Sequence, residues 1–363
     1  ALKKLRNLGN TVILVEHEEE VIKHADFLVD MGPEAGIMGG EVIFTGNYTD
    51  IETSPVNNSL TIDYLLGRKK IEVPSQRRVS RSFLKMEKVN LHNLKDVDVT
   101  IPLNCIVCVT GVSGSGKSSL IKGVLYPTLE NAIQNDLTEA STNFIQRLSG
   151  DIKRINKVEM IDQQPIGKSS RSNPVTYVKA YDYIRDLFTS QPMSKLRGFK
   201  PKHFSFNVEG GRCETCKGEG VTVVDMQFLA DVTLVCEECK GMRFKNEVLD
   251  VKYKDKNIFD VLEMDIMEAV TFFEGNNEII NRIMPLYEIG LGYVRLGQSS
   301  SSLSGGEAQR VKLASFLTKE NKVAHTLFIF DEPTTGLHFE DVRKLLIAFN
   351  KLIEKGNSII IVE

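Results

Sequence analysis

Two Cys-x-x-Cys pairs give this chain a set of residues suited to binding a metal. Cys213 and Cys216 form the first pair, Cys236 and Cys239 form the second, and each pair is followed by Lys-Gly. One such turn presents two thiolates, and two turns complete a tetrahedral sulfur site that leaves no position open for water. Because the spacing between the pairs is typical of zinc sites, we predict a structural zinc ion here. A redox-active cysteine pair is the alternative.

A second group of residues predicts a phosphate site. Residues 111–119 read Gly-Val-Ser-Gly-Ser-Gly-Lys-Ser-Ser, and they follow an apolar, strand-like run at 106–110 and lead into a helix-like sequence. The glycines let backbone N–H groups turn toward phosphate oxygens, and the helix N-terminus adds its positive end. Lys117 would reach the β- and γ-phosphates of ATP, and Ser118 would bind Mg²⁺. An unrelated Gly/Ser turn is the alternative. The predicted nucleotide contacts are Gly111, Ser113, Gly114, Gly116, Lys117, Ser118 and Ser119.

An acidic pair follows another apolar run. Residues 326–330 read Thr-Leu-Phe-Ile-Phe and end in Asp331 and Glu332. Residues 111–119 upstream have the sequence of a P-loop, the phosphate-binding loop of many ATPases. Asp331 is therefore predicted to hold the Mg²⁺ shell, and Glu332 to polarise the attacking water as a general base. Gln163, in the segment Asp-Gln-Gln-Pro, is a further candidate for a position near the water or the metal.

The segment at 303–307, Leu-Ser-Gly-Gly-Glu, precedes a helix-like sequence in which apolar residues recur at core spacing. Ser304, Gly305 and Gly306 would form a second anion site at a helix N-terminus. An N-cap followed by a glycine turn is the alternative.

Basic residues cluster on the approach to the first cysteine pair. Between positions 195 and 203 the chain carries cations and no acid, and further basic residues surround the cysteines. Such clusters suit contacts with phosphate groups, which give affinity for nucleic acid without reading its sequence. An ordinary solvated surface is the alternative. The candidate DNA contacts are Lys195, Arg197, Lys200, Lys202 and Arg243.

The composition limits the possible partners. A length of 363 residues, with 42% hydrophobic and 26% charged residues, is typical of a globular protein with a sizeable core. The net charge of −3 means that any attraction to DNA must be local. No apolar run approaches the roughly 20 residues that span a bilayer, and no signal peptide is recognisable, so we expect a cytoplasmic protein without a membrane partner. Cys105 and Cys108 lie in an apolar strand and are predicted to be reduced core thiols.

The two ends of the chain carry the same pattern. Residues 9–16 read Gly-Asn-Thr-Val-Ile-Leu-Val-Glu, and residues 356–363 read Gly-Asn-Ser-Ile-Ile-Ile-Val-Glu. Each copy predicts a β-strand after a turn, ending at Val15 in the first, and together they indicate two tandem copies of one domain. The chain starts at Ala1 in mid-pattern, and we expect it to be a piece of a longer protein.

Taken together, these motifs resemble those of a known family. Ser304-Gly-Gly with Asp331-Glu-Pro-Thr-Thr-Gly-Leu-His338 is similar to an ABC-type ATPase. More narrowly, the P-loop, the segments at 162–167, 171–174 and 303–313, and the first cysteine turn resemble UvrA, the damage-sensing subunit of bacterial nucleotide excision repair. The resemblance covers essentially the whole chain. It implies the last part of a first ABC domain followed by most of a second.

The implied fold class is α/β: an ABC-type P-loop core with a mixed sheet flanked by helices, an inserted helical signature region and a zinc-binding β-hairpin module. The apolar runs at 221–224 and 232–235 predict the hairpin between the cysteine pairs. The predicted organisation is residues 1–67 as the tail of the first domain, 68–82 as a basic linker, 83–165 and 301–363 as the two parts of the second domain, and 166–300 as an insertion with the zinc module at about 203–246.

The resemblance also implies roles for single residues. The nucleotide site of the second domain would consist of Lys117, Ser118, Gln163, Asp331 and Glu332, and the Ser304 loop would face the ATP of the first domain. His17 matches the histidine that senses the γ-phosphate in the first domain. The chain departs from the family at Gln164 and at residues 299–302, where no ATP contact is expected. Because the first P-loop, its signature loop and the second switch histidine are not in this sequence, we expect weak or absent steady-state turnover.

The implied cofactors are ATP, Mg²⁺ and Zn²⁺. The implied partners are double-stranded DNA with lesions, a UvrB-type repair protein whose binding region is not in this sequence, and a second copy in a full-length homodimer. Three alternatives stay open: a UvrA-like paralogue serving drug tolerance, the ATPase subunit of a membrane transporter, and a zinc-dependent protein-binding module with an inactive nucleotide fold.

Overall fold

The computed structural model of this chain describes residues 2–33, 35–51, 58–167, 169, 171–224, 226, 232–318 and 325–363, with only the backbone of Ile37. The chain divides into two compact units. Unit 1 consists of residues 1–75 and 334–343, and unit 2 consists of residues 76–333 and 344–363.

Helices and strands are numbered separately along the chain. The helices are α1 (Leu2–Asn7), α2 (Glu19–Ile22), α3 (Leu60–Leu65), α4 (Tyr126–Gln134), α5 (Pro174–Tyr177), α6 (Ala180–Thr189), α7 (Pro192–Leu196), α8 (Asn246–Leu249), α9 (Ile258–Glu263), α10 (Ile266–Phe272), α11 (Asn277–Glu288), α12 (Gly305–Thr318) and α13 (Phe339–Glu354). The strands are β1 (Leu28–Gly32), β2 (Glu41–Gly46), β3 (Phe83–Leu91), β4 (Leu94–Pro102), β5 (Ile106–Val109), β6 (Ala140–Thr142), β7 (Ile145–Gly150), β8 (Lys157–Ile161), β9 (Val221–Val224), β10 (Val232–Val235), β11 (Thr326–Asp331) and β12 (Ser358–Val362). A π-helical stretch, Ser119–Leu125, continues directly into α4. None of the helices in the described ranges is long and apolar enough to cross a bilayer.

Two four-stranded sheets form the framework of unit 2. One is parallel, in the order β5-β12-β11-β8, and the other is antiparallel, in the order β4-β3-β7-β6. Strands β11 and β12 are buried along almost their whole length, which explains their uninterrupted apolar runs. The predicted α/β class is therefore confirmed, with the parallel and antiparallel strands in separate sheets.

One apolar cluster in unit 2 joins residues of both sheets with the helix that follows the P-loop. Leu84 and Leu148 come from the antiparallel sheet, Ile329 and Ile360 from the parallel sheet, and Ile121 from the helix, and all five are buried. Because the P-loop lies between β5 and this helix, the core fixes both ends of the loop.

The predicted strand ending at Val15 is wrong. Residues 10–18 are assigned to no helix or strand, and Ile13 and Val15 are 87% and 89% exposed. Strand β12, which lies in the second copy of this sequence pattern, pairs with β5 on one side and β11 on the other. The first copy pairs with none of the described strands. Local sequence favours an extended chain in both places, but a strand forms only where neighbours complete its backbone hydrogen bonds.

The prediction that Cys105 and Cys108 are both core thiols is half wrong. Cys105 is buried, but Cys108 is exposed. Strand β5 lies at the edge of the parallel sheet, and its Val107 and Val109 pack against the core. Because side chains alternate along a strand, Cys108 points to the opposite face.

The insertion is helical, as predicted, with α5–α11 between positions 166 and 300. Buried aromatic residues hold it together, among them Phe188, Phe204, Phe206 and Phe244. The Tyr181 hydroxyl donates a hydrogen bond to the Phe204 carbonyl oxygen (2.6 Å). This packing fixes the backbone around residue 206, against which the first cysteine turn lies.

Candidate nucleotide site and metal centre

The P-loop has a backbone that requires its glycines. Gly114 and Gly116 have φ angles of +79° and +105°, in the left-handed region. A Cβ atom on Gly116 would lie 2.9 Å from Leu94 Cδ2 and 3.1 Å from Asn93 Oδ1. Asn93 also donates from Nδ2 to the Gly114 carbonyl oxygen (3.2 Å). The loop therefore has the open backbone surface that a phosphate group needs, held in place by β4 and the turn before it.

Lys117 follows this loop at the start of the helix. Its Nζ donates to the carbonyl oxygens of Gly111 (2.5 Å) and Val112 (3.3 Å). The ammonium group is thus folded over the loop itself, where phosphate oxygens would compete with the two carbonyls. Its position fits the predicted role in binding the β- and γ-phosphates.

The acidic pair lies at the end of β11, at the same edge of the parallel sheet as the P-loop. The Asp331 carboxylate accepts a hydrogen bond from Lys122 Nζ, which lies on the helix after the P-loop. Glu332 is exposed and has a φ of +45°, an uncommon conformation for a residue with a side chain. Its backbone N–H donates to the Val362 carbonyl oxygen (2.8 Å). Tertiary contacts therefore fix the backbone that carries both carboxylates.

Gln163 is brought to the acidic pair. Its Nε2 donates to the Glu332 carbonyl oxygen (3.1 Å), which joins two segments predicted separately from the sequence. A Cβ atom on Gly305 would lie 2.9 Å from both Cβ and Oε1 of Gln163. The segment at 303–307, which we call the signature loop, therefore also meets Gln163 in unit 2.

The signature loop adopts the N-cap geometry that was the alternative in the sequence. Ser304 Oγ accepts from the Glu307 N–H (3.3 Å), and the Glu307 carboxylate accepts from the Ser304 N–H (2.8 Å). The Tyr293 hydroxyl donates to the same carboxylate (2.6 Å). Burial is the main cause that raises the Tyr293 pKa to about 12, and the hydrogen bond to Glu307 adds to it. An anion-binding role for Ser304, Gly305 and Gly306 stays a prediction.

Helix α12 connects the signature loop to the strand ends. Gln309 Nε2 donates to the carbonyl oxygens of Ile161 (2.9 Å) and Asp331 (3.0 Å). Lys312 Nζ donates to the Asp162 carboxylate (2.6 Å), beside Gln163. Neither Gln309 nor Lys312 is among the site residues predicted from the sequence. Gln309 lies two residues after the signature loop, which is a signal in the sequence, whereas the pairing of Lys312 with Asp162 is visible only in the fold.

The four predicted zinc ligands come together. The Sγ atoms of Cys213, Cys216, Cys236 and Cys239 all lie within 4.8 Å of one another, and all four residues are buried. Two of the separations are 3.9 Å (Cys213 to Cys236) and 3.6 Å (Cys216 to Cys239). Tetrahedral zinc with bonds of about 2.3 Å requires sulfur separations of about 3.8 Å. The cysteine set therefore fits a closed, structural zinc site.

Two short turns, the zinc knuckles at 213–218 and 236–241, have matching backbones. Lys217 and Gly218 in the first have φ angles of +51° and +85°, and Lys240 and Gly241 in the second have +49° and +86°. The Gly220 N–H donates to Cys216 Sγ (3.2 Å), and its carbonyl oxygen accepts from the Cys236 N–H (3.0 Å). The repeated Cys-x-x-Cys-Lys-Gly sequence thus gives the same fold twice, and the predicted hairpin β9-β10 joins the knuckles.

The candidate DNA contacts separate into two groups. Lys195, Lys200 and Lys202 are exposed. Arg197 instead forms an ion pair with Asp250 (2.9 Å), and half-buried Arg243 donates to the Gly297 carbonyl oxygen (3.3 Å). The two arginines have structural partners, whereas the three lysines present their charge on the surface.

His17 lies in unit 1 and is half-buried. It contributes to lowering the pKa of His338, for which burial is the largest cause. Its role toward a nucleotide stays a prediction.

Comparisons with known proteins identify the family. No family model matches the chain. UvrABC system protein A of Aquifex aeolicus and that of Clostridium tetani are each 49% identical to it, over 363 and 364 residues that cover 100% of this chain and 39% and 38% of the relatives. The crystal structure of UvrA2 from Deinococcus radiodurans matches with a TM-score of 0.90 and 42% identity, covering 100% of this chain and 43% of that one. The chain belongs to the UvrA family.

Membership of the UvrA family confirms the resemblance seen in the sequence. The chain spans about two fifths of the length of the UvrA relatives that it matches, so it corresponds to a portion of such a protein. The similarity to UvrA extends over the P-loop and the cysteine module alike, since the whole chain is covered.

Proposed function

We propose that this chain is the part of a UvrA-type ATPase that binds ATP and Mg²⁺ and links their binding to contact with damaged duplex DNA in nucleotide excision repair. The observation that supports this most strongly is the convergence of three motifs in unit 2. Gln163 contacts the backbone of Glu332, the signature loop adjoins Gln163, and the Asp331 carboxylate faces the helix that begins at the P-loop.

The residues have distinct roles in this proposal. The P-loop backbone and Lys117 bind the phosphates, while Ser118 and Asp331 supply oxygen ligands to Mg²⁺. When bound, Mg²⁺ would neutralise negative charge on the phosphates. Glu332 orients and polarises the attacking water, and Gln163 holds the Glu332 backbone in place.

Residues next to the zinc knuckles contact the segments that lead to the nucleotide site. Arg171, which follows the Gln163 loop, pairs with Glu219 in the turn after the first knuckle (3.3 Å), and both side chains are 26% exposed. Arg243, next to the second knuckle, donates to Gly297, which precedes the signature loop. These contacts support a coupling in which movement at Gln163 or at the signature loop changes the position of the zinc module.

The partners proposed for the whole protein are lesion-bearing double-stranded DNA, a UvrB-type repair protein and a second copy of the protein. Zinc holds the knuckles, and the cytoplasm is the proposed location. Lys195, Lys200 and Lys202 precede the first knuckle in sequence, and their exposed side chains support phosphate contacts to DNA.

Two substitutions separate binding from hydrolysis. Lys117→Ala should abolish binding of a fluorescent ATP analogue to this chain, because it removes the cation that the loop presents to phosphate. Glu332→Gln should preserve binding but lower ATP hydrolysis by the full-length protein by about 10²- to 10⁴-fold, because the amide cannot act as a general base.

The matched controls are Lys351→Ala and Glu288→Gln, which remove the two members of a half-exposed ion pair on α13 and α11. Neither should change binding or hydrolysis. Nucleotide binding that survives Lys117→Ala would contradict the proposed site. Steady-state turnover by this chain equal to that of the full-length protein would contradict the expectation that a complete site needs the first domain.

A further inference from the structure

A second lysine lies beside the proposed Mg²⁺ ligands. Lys122 follows Ser118 by four residues and lies in the π-helical stretch that continues from the P-loop. Its ammonium group forms an ion pair with the Asp331 carboxylate, and the two side chains are 38% and 22% exposed. Asp331, the proposed Mg²⁺ ligand, is therefore already paired with a cation, the Lys122 ammonium group.

The two members of this pair differ in how freely they can move. The Asp331 backbone belongs to β11, which pairs with β12 and β8, and its carbonyl oxygen also accepts from Gln309. Lys122 has a flexible side chain of four methylenes that is 38% exposed. When a competing cation binds Asp331, the lysine can therefore leave while the carboxylate stays in place.

We propose that Lys122 is a positioning residue that occupies the Asp331 carboxylate until Mg²⁺ displaces it, and that it thereby sets the Mg²⁺ concentration at which nucleotide binds. This inference rests on the nucleotide site proposed above. Lys122 and Mg²⁺ compete for the same oxygen atoms, since an ammonium group and a divalent cation are both attracted to a carboxylate. The lysine holds Asp331 toward the helix in the absence of the ion and raises the Mg²⁺ requirement of the site.

A purely structural role makes a different prediction. If Lys122 only tied β11 to the helix after the P-loop, its loss would lower thermal stability and leave the Mg²⁺ requirement unchanged. Competition predicts that loss of Lys122 lowers the Mg²⁺ requirement and changes thermal stability little, because a partly exposed ion pair contributes only about 0–1 kcal/mol to stability.

The test measures binding of a fluorescent, non-hydrolysable ATP analogue as a function of Mg²⁺ concentration, in this chain and in the full-length protein. Lys122→Met keeps the side-chain length and removes the charge, Lys122→Gln is a second neutral variant should the first not fold, and Lys122→Arg retains the cation. Lys351→Met is the matched control, because Lys351 forms a similarly exposed ion pair with Glu288 in the same unit. Thermal melting of each variant reports the structural contribution.

The half-maximal Mg²⁺ concentration should fall by about two- to fivefold in Lys122→Met, which corresponds to loss of one competing, partly exposed ion pair. It should stay near the wild-type value in Lys122→Arg and in Lys351→Met. An unchanged or increased Mg²⁺ requirement in Lys122→Met, with nucleotide binding intact, would overturn this inference and leave the nucleotide site standing. Absence of nucleotide binding by the wild type at every Mg²⁺ concentration would overturn both.

Discussion

At the scale of single residues, Glu340 is a buried carboxylate of unit 1 with two hydrogen-bond donors. Its side chain accepts hydrogen bonds from Arg343 (2.6 Å) and from the Tyr64 hydroxyl (2.9 Å). Burial favours the neutral acid and pushes the pKa up, but the hydrogen bonds and the nearby cations outweigh burial and lower the pKa to about 2. In the folded protein Glu340 therefore stays ionised down to about pH 2. Its interactions stabilise the folded state at any pH at which Glu340 is also ionised in the unfolded chain.

This pKa predicts how stability depends on pH. Because the folded-state pKa lies below the ordinary value of 4.5, the contribution is fully present above pH 4.5 and is lost as the pH falls toward 2. Glu340→Gln should lower the free energy of unfolding at pH 7 by roughly 2–3 kcal/mol and flatten its dependence on pH in that window. Thermal melting between pH 2.5 and 7 measures both effects.

The control for this prediction is Glu139→Gln, which removes an exposed carboxylate that pairs with Arg147. It should change the melting temperature little at any pH, since exposed pairs contribute little. Equal effects of the two substitutions would show that the buried position of Glu340 does not matter.

At the scale of elements, the zinc knuckles depend on close approach between backbones. Gly218 has a φ of +85°, and a Cβ atom there would lie 2.1 Å from the Phe206 carbonyl oxygen. The first knuckle is therefore pressed against the segment that carries the aromatic core of the insertion. An added methyl group would have to move either the knuckle or that segment.

Gly218→Ala should consequently weaken zinc retention and lower the melting temperature. Gly198→Ala is the matched control, because Gly198 also has a positive φ (+65°) but no atom within 4 Å of its added Cβ. In Gly198→Ala, backbone strain alone should lower the free energy of unfolding by about 1 kcal/mol. In Gly218→Ala, the close contact should lower it by about 1–3 kcal/mol more. Zinc content after dialysis against a weak chelator, with melting curves, measures the difference. Equal losses in both variants would rule out the close approach as the cause.

The repeated strand sequence offers a second prediction at this scale. Ile360 lies in β12 and is fully buried, whereas Ile13, its counterpart in the first copy, is 87% exposed. Ile360→Thr should lower the free energy of unfolding of this chain by about 2–4 kcal/mol, because it removes apolar contacts and buries a hydroxyl. Ile13→Thr should change it by no more than about 0.5 kcal/mol. Chemical denaturation of both variants measures the contrast, and similar losses would mean that residues 11–15 do pack in a sheet.

These elements show why only part of the molecule could be predicted. The P-loop and the cysteine pairs are contiguous motifs whose chemistry requires particular residues at fixed spacing, so the sequence identifies them directly. The prediction of a strand ending at Val15 is wrong because strand formation depends on neighbouring strands, and a local sequence pattern does not show whether they are present. Lys122 and Tyr293 escaped notice for a related reason, since their partners Asp331 and Glu307 become neighbours only in the fold.

At the scale of the whole molecule, charge decides where DNA can bind. The net charge is −3, so the chain as a whole does not attract a polyanion, and binding must depend on local cations. Lys195, Lys200 and Lys202 precede the first knuckle in sequence and are exposed, whereas Arg197 is paired with Asp250. The three lysines are therefore the candidate phosphate contacts that we choose to test.

Removing two of these lysines tests that surface. In Lys200→Ala plus Lys202→Ala, the slope of log binding constant against log salt concentration for duplex DNA should become shallower by about 0.9 for each lost phosphate contact. The control is Lys252→Ala plus Lys256→Ala, which removes the same charge from two exposed lysines outside the zinc module. Because both double variants have the same net charge, a general electrostatic effect would change both slopes alike. A change confined to the first variant would place the phosphate contacts at Lys200 and Lys202, and unchanged slopes in both would exclude this surface.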